Sequence, residues 1–294
     1  MRLHVLHETT YDYTPAVKTA QHMGHLKPAD DTRQKLLCHT LRVEPEPAKQ
    51  DERVDIYGNT RTFFSLQVAH DRLKVVAESM VETSAAAALP ASMPWEAARE
   101  RMRYHGAAHY DPATEFVFAS PYVPRDTQFA DYARASFAPG RPLLEAATAL
   151  MQRIHEDFEY VTAATDATTP ALDSLALRKG VCQDFAHVMT GCLRSMGLAA
   201  RYVSGYLLTE PPPGQARLVG SDASHAWVAV YLPAETGPGE WAELDPTNNR
   251  APGEDYVRLA VGRDYGDVSP LRGVIHGGAS HALSVAVTVS PVPL

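Results

Sequence analysis

The chain has only three cysteines, Cys38, Cys182 and Cys192, too few and too scattered for a disulfide framework. That scarcity suits a reducing compartment, so a cytoplasmic protein is expected. Long apolar runs are missing as well. The opening stretch from Met1 to Tyr13 carries His4, His7, Glu8 and Asp12 where a secretory leader needs an unbroken apolar segment, and no run reaches the length of a membrane span. A cluster of Lys and Arg is lacking, and the formal net charge of -8 works against a phosphate backbone as partner. These absences set aside nucleic acid and membrane, and leave a soluble protein acting on a peptide, a protein or a small molecule. Neither the composition nor the pattern reports an oligomeric state.

What is present is ordinary globular matter. Hydrophobic residues make up 45% and charged residues 21%, enough apolar surface for a sizeable core and far from the signature of disorder. At 294 residues the chain is long for one compact core, so two domains are favoured over one.

From Arg2 to about Thr83 the pattern has period two: Leu3, Val5, His7, Thr9 and Tyr11 alternate with Arg2, His4, Leu6, Glu8 and Thr10. Turn signals at Pro45, Pro47 and Tyr57-Gly58-Asn59 fit an N-terminal antiparallel β-sandwich over 1–83. The proline-bounded, Ala-rich stretch Ser84 to Pro94 reads as a linker, the start of a linker and helical segment over 84–140. Helical spacing then appears near Trp95, from Phe129 to Phe137, and from Leu143 to Phe158, with Pro142 in its first turn. Further helices are expected at Pro170 to Leu177 and Val181 to Met196. Strands follow at Ala199 to Leu208, His225 to Leu232, Glu240 to Leu244 and Leu283 to Val289. Pro211 to Gly214 reads as a solvated hairpin loop. The expected class is α+β, with 141–294 as a core in which one helix packs on an antiparallel sheet.

Cys182 stands at the head of that helix. Gly180 precedes it, apolar residues recur with a 3.6 period to Met196, and Gly197 closes the run. At about 100° per residue, Phe185, Ala186, Met189, Leu193 and Met196 share its face, while Asp184, Gly191 and Arg194 point elsewhere. Unpaired N–H groups at a helix start favour a thiolate and can receive an oxyanion. On position alone, a core cysteine and a reactive one both remain open. A zinc site of Cys182, His187 and Cys192 is disfavoured, because spacings of five and ten place them about 140° and 280° apart around the axis. Cys38, Cys192 and His187 read as structural, and neither metal nor cofactor is expected.

His225 opens a strand and Asp245 ends the next, with Pro233, Gly237, Pro238 and Gly239 turning between them. Hairpin pairing can bring the two side chains together, and a Cys–His couple needs a third group to fix the imidazole. His4, His7, His22, His25 and His39, all in the N-terminal region, are expected to stand aside.

Four blocks carry a family resemblance: Arg178-Lys179-Gly180-Val181-Cys182-Gln183-Asp184-Phe185-Ala186-His187, Ala200-Arg201-Tyr202-Val203-Ser204-Gly205-Tyr206, Asp222-Ala223-Ser224-His225-Ala226-Trp227, and Leu244-Asp245-Pro246-Thr247-Asn248. They resemble the bacterial transglutaminase-like family, in which a β-rich N-terminal domain precedes a papain-type core. The opening strands and Gly262-Arg263-Asp264-Tyr265-Gly266-Asp267-Val268 extend the likeness, and 84 to about 140 is the part it covers poorly. The resemblance implies Cys182 as nucleophile, His225 as base and Asp245 as the acid that orients it. It also implies Tyr160 as a donor to the oxyanion, against a plain loop aromatic, and makes Asn248 and Asn249 substitute orienters. Trp227 is assigned to the wall of the acyl site, against a place in the core. The implied activity is hydrolysis of a peptide, isopeptide or small amide bond through a thioester. Glutamine acyl transfer to an amine, or a silent adaptor that keeps only the fold, are the alternatives.

Overall fold

The computed structural model describes residues 1–85, 91–103, 106, 110–209, 224–278 and 280–293. The expected loop at 211–214, residues 222 and 223 of the histidine block, and 86–90 of the linker lie outside them. Five strands open the chain: β1 (Arg2–Gly24), β2 (Gln34–Glu44), β3 (Lys49–Val54), β4 (Thr60–Leu66) and β5 (His70–Thr83). Helices α1 (Trp95–Arg101), α2 (Thr127–Ala133) and α3 (Leu143–Asp157) follow, then β6 (Glu159–Tyr160), α4 (Ala171–Leu177), β7 (Lys179–Gly180) and α5 (Cys182–Ser195). The chain continues through β8 (Ala200–Leu207), β9 (Ser224–Leu232), β10 (Glu240–Leu244), β11 (Tyr256–Gly262), α6 (Tyr265–Val268), β12 (Leu271–Gly277) and β13 (Ser280–Pro291). The class is mixed α and β with a β-rich N-terminal region.

Strand β1 is the spine of a seven-stranded antiparallel sheet. Its first half lies between β5 and β13, its second half between β4 and β12, and the pairing with β5 breaks register between Asp12 and Val17. The alternation read from the sequence holds over the first half, where Leu3, Val5, His7 and Thr9 are buried. Tyr13, Val17, Phe64, Leu66, Leu73 and Val75 form a small core on the β1, β4 and β5 surfaces. Leu3, Val5, Val81, Val287 and Val289 instead belong to the main core with the helices.

One expectation changes here. The stretch Leu283 to Val289 does not join the sheet that follows α5. Together β12 and β13 run antiparallel to β1, from Leu271 opposite Gly24 to Pro291 opposite Leu3. Period two says that a face is buried but not which sheet buries it.

The second sheet, in the order β10-β9-β8-β11, is antiparallel and packs on α5. Helix α5 is buried all round: Gly191 lies so close to Phe129 that a Cβ would come 2.9 Å from its ring. The buried Arg194 donates to the Ala200 carbonyl, Ser120 Oγ and the Arg263 carbonyl. Of the residues predicted to face away from the apolar stripe, Gly191 therefore meets α2 and Arg194 the segment after β11. Each fully buried Leu or Phe in this core contributes about 1.5–3 kcal/mol relative to exposure. The two sheets are tied by Arg258, which pairs with Glu243 at 2.9 Å and also with Asp31, while Gln34 bonds the Arg258 backbone in both directions.

Candidate active site

Cys182 is the first residue of α5 and half-buried. The turn that delivers it is held by Asp184, a buried carboxylate. Asp184 accepts from the Val181 N–H at 2.8 Å, from Thr165 Oγ1 at 2.6 Å and from Ser174 Oγ at 2.8 Å. One side chain thus ties the helix start to α4 and to the loop before it. The resulting crowding explains the glycine: a Cβ at Gly180 would lie 2.7 Å from Asp184 Cβ. The sulfur reaches 3.9 Å from the Ser224 carbonyl oxygen, at the first residue of β9.

His225 follows Ser224 and turns its Nε2 to Asp245 Oδ2 at 2.7 Å, with the Cys182 sulfur near enough to act on the imidazole's charge. Burial alone would push the imidazole down; the bond to Asp245 and the interaction with Cys182 outweigh it and lift the pKa to about 10. At neutral pH the ring is charged, and its Nε2–H donates to Asp245. The hairpin β9–β10 sets this up: Leu244 pairs with Val228, so Asp245 emerges level with the start of β9.

Asp245 is fully buried, yet its oxygens are well supplied. Oδ2 also receives Asn248 Nδ2 at 2.7 Å and the Tyr256 hydroxyl at 2.7 Å, while Oδ1 accepts from the Thr247 and Asn248 N–H groups. Burial works to raise its pKa, but the bonds from His225, Asn248 and Tyr256 hold it below the usual carboxylate range. Tyr256, on β11, carried no signal in the sequence, and neither did the role of Asp184. Asn248, weighed as a substitute orienter, serves as a second donor to Asp245 and lies 3.3 Å from His225 Nε2. Asn249 adopts a positive φ of 52° and makes no such contact among the described bonds.

Tyr160 is brought beside the cysteine by the parallel bridge of β6 to β7, in which it stands opposite Gly180. It is 51% exposed, and its hydroxyl is pushed up by burial and then by the charges of Cys182 and Asp184. Trp227 requires a correction. It is fully buried, stacks behind His225 at 6.0 Å between ring centroids and donates to Glu243 Oε2 at 3.1 Å. It offers no surface to an acyl group; as the fourth residue of β9 it points inward beneath the site.

The other candidates lie apart. His4 bonds Glu78, His7 bonds the Tyr206 hydroxyl, His25 bonds the Ser269 carbonyl, His39 bonds Ser79, and His22 stacks on Phe64. Within α5, His187 is buried and accepts from the Tyr265 N–H, while Cys192 is buried among apolar neighbours. Cys38 is exposed on β2. No helix among the described residues is long and apolar enough to cross a membrane.

Residues 3–82 match the family described as bacterial transglutaminase-like N-terminal region, and residues 130–246 match the transglutaminase-like superfamily. An uncharacterised protein of Mycobacterium tuberculosis is 39% identical over 297 residues, which span 99% of this chain and 93% of that protein. A protein-glutamine gamma-glutamyltransferase of Pseudomonas aeruginosa is 35% identical over 133 residues, 44% of this chain and 19% of that protein. A solved structure from Cytophaga hutchinsonii, described as a candidate cysteine protease, superposes with a TM-score of 0.73 at 20% identity, covering 100% of this chain and 92% of that one. That likeness is one of fold.

Proposed function

The chain belongs to the bacterial transglutaminase-like family, and from that premise we propose that it hydrolyses a peptide, isopeptide or small amide bond through a thioester on Cys182. The observation that carries this reading is the convergence of Cys182, at a helix start with its sulfur 3.9 Å from the carbonyl of Ser224, with the next residue, His225, whose ring is bonded to Asp245 at 2.7 Å. A charged ring facing sulfur stabilises the thiolate, which is the attacking species. Attack on the amide carbonyl forms the C–S bond, and collapse of the tetrahedral adduct breaks the C–N bond. His225 gives its proton to the leaving amine, and the now neutral ring takes a proton from the water that cleaves the thioester. Asp245 stays ionised and holds the ring by Nε2. The Cys182 N–H at the head of α5 and the Tyr160 hydroxyl are the donors assigned to the oxyanion.

A second reading, glutamine acyl transfer to an amine, is favoured by the likeness to the P. aeruginosa gamma-glutamyltransferase over 44% of this chain. The chemistry as far as the thioester is the same, and the acceptor differs. Rates on a library of dipeptides, glutamine amides and isopeptides, with and without a primary amine, separate the two. Acid product in the absence of amine supports hydrolysis; product only with amine supports transfer. Cys182→Ala is expected to lower turnover roughly 10⁴-fold or more with an unchanged circular dichroism spectrum. Full activity in that folded variant would remove the mechanism altogether.

A further inference from the structure

An indole has one donor and no acceptor, and when buried its N–H needs a partner. The partner of Trp227 is charged. Its N–H meets Oε2 of Glu243, on the neighbouring strand β10, at 3.1 Å, and the Glu243 side chain is only 8% exposed. A carboxylate so withdrawn from water has to be paired. Oε1 takes Arg258 Nη1 at 2.9 Å and Oε2 faces Arg33 Nη1 at 3.5 Å, with Arg201 also in its field. Arg33 and Asp31, the second partner of Arg258, come from the segment between β1 and β2. A line of charges therefore runs from the N-terminal region to the edge of one indole.

The rest of that ring is confined too. Gly205, opposite His225 in the β8–β9 pairing, leaves it room: a Cβ there would come 2.5 Å from Trp227 Cη2. Tyr256 meets the indole edge to face at 5.3 Å between centroids. With its plane fixed, Trp227 lies against the imidazole of His225, 6.0 Å between centroids and 29° between planes. Among the described residues, the titratable side chains facing that imidazole are Cys182, Asp245 and Tyr256. A cation within about 6 Å of an indole face is attracted by it. An anion that accepts from the indole N–H pushes electron density into the ring and strengthens that attraction.

We propose that, in the thioester chemistry proposed for Cys182 and His225, on which this inference rests, Glu243 is a positioning residue. Through the Trp227 indole it holds the imidazole in place and supports its charged form, so that the N-terminal region helps to set the acidity of His225. Trp227, kept out of the acyl pocket, acts on the site from behind.

The titration of His225 tests the link, read from the imidazole NMR signals of the histidine-labelled whole chain and assigned by their loss in His225→Gln. Glu243→Gln should make the imidazolium about tenfold more acidic. Glu243→Asp keeps a charge beside Arg258 but falls one methylene short of the indole, so it should move His225 in the same direction; should Glu243→Gln not fold, this variant alone decides. In a Trp227→Phe background, Glu243→Gln should move His225 no further. A merely structural role would lower melting temperatures and leave the titration in place. An unmoved His225 in folded Glu243→Gln, a wild-type titration in Glu243→Asp, or a shift of equal size with and without Trp227 overturns the proposal. Slow alkylation of Cys182 in the wild type would instead sink the proposed reaction, since the His225 titration is read without it.

Discussion

Buried histidines in the two sheets behave in opposite ways. His7 and His22, on β1, are driven down to about 4 because burial disfavours their charged form. His225, on β9, is nearly as buried and is lifted to about 10. His7 meets hydroxyls and His22 meets the ring of Phe64, while His225 meets a carboxylate and a sulfur. Burial by itself makes a histidine neutral; the same burial around an ion pair makes it a cation, because the partner charge is no longer screened by water.

The sharpest way to break that contrast is to remove the carboxylate. Asp245→Ala should turn His225 into a histidine of the β1 kind, and activity on any substrate found should fall roughly 10³-fold or more. Asp245→Asn, which can still accept from Nε2, should lose less. The same pair has a signature in stability. A folded pKa of about 10 against an ordinary 6.5 means the contribution is complete below 6.5 and is lost as pH rises through about 10. Melting temperatures between those limits should decline in the wild type and flatten in Asp245→Asn, and identical slopes would contradict the charged ring.

Tyr160→Phe leaves the protonation of the site alone and so separates it from oxyanion binding. A loss of about 10²-fold in kcat is expected with the pH profile unmoved; an unchanged kcat would return Tyr160 to a loop aromatic. Tyr256→Phe sits between the two effects. It removes one of three donors on Asp245 Oδ2 and should cost about tenfold in rate, with the alkaline limb of the profile shifting upward as His225 holds its proton more tightly. The smallest effect belongs to the other side of the comparison. His22, which has neither nitrogen bonded and lies near His70, destabilises the fold as pH drops from 6.5 toward 4. His22→Phe should spare roughly 1–2 kcal/mol of that acid loss, read as a higher melting temperature at pH 4.5 than the wild type.

Much of this organisation was legible in the residues. The 3.6 period after Gly180 places a helix that starts at Cys182, and the turn residues between His225 and Asp245 define the hairpin β9–β10. Other features were not. The sidedness of Trp227 depends on which strand face meets the core, and a strand buried on both faces, as β9 is, gives no alternation to read. Tyr256 reaches Asp245 from β11, and Thr165 and Ser174 reach Asp184 from loop and helix; such contacts are made by tertiary packing and have no spacing of their own. The partner of β13 was illegible for the same reason, since it lies at the opposite end of the chain.

That last pairing also orders events during synthesis. Strand β1 leaves the ribosome first and meets β5 and β4 early, but its other flank is filled only by residues 271–291, made after the whole cysteine core. Contacts of such sequence separation are slow to close. Until they do, the nascent protein holds an assembled helix and hairpin beside a half-open sheet, so a chain stopped before Leu271 would carry every group of the site and yet leave the flank of β1 opposite β4 and β5 unpaired.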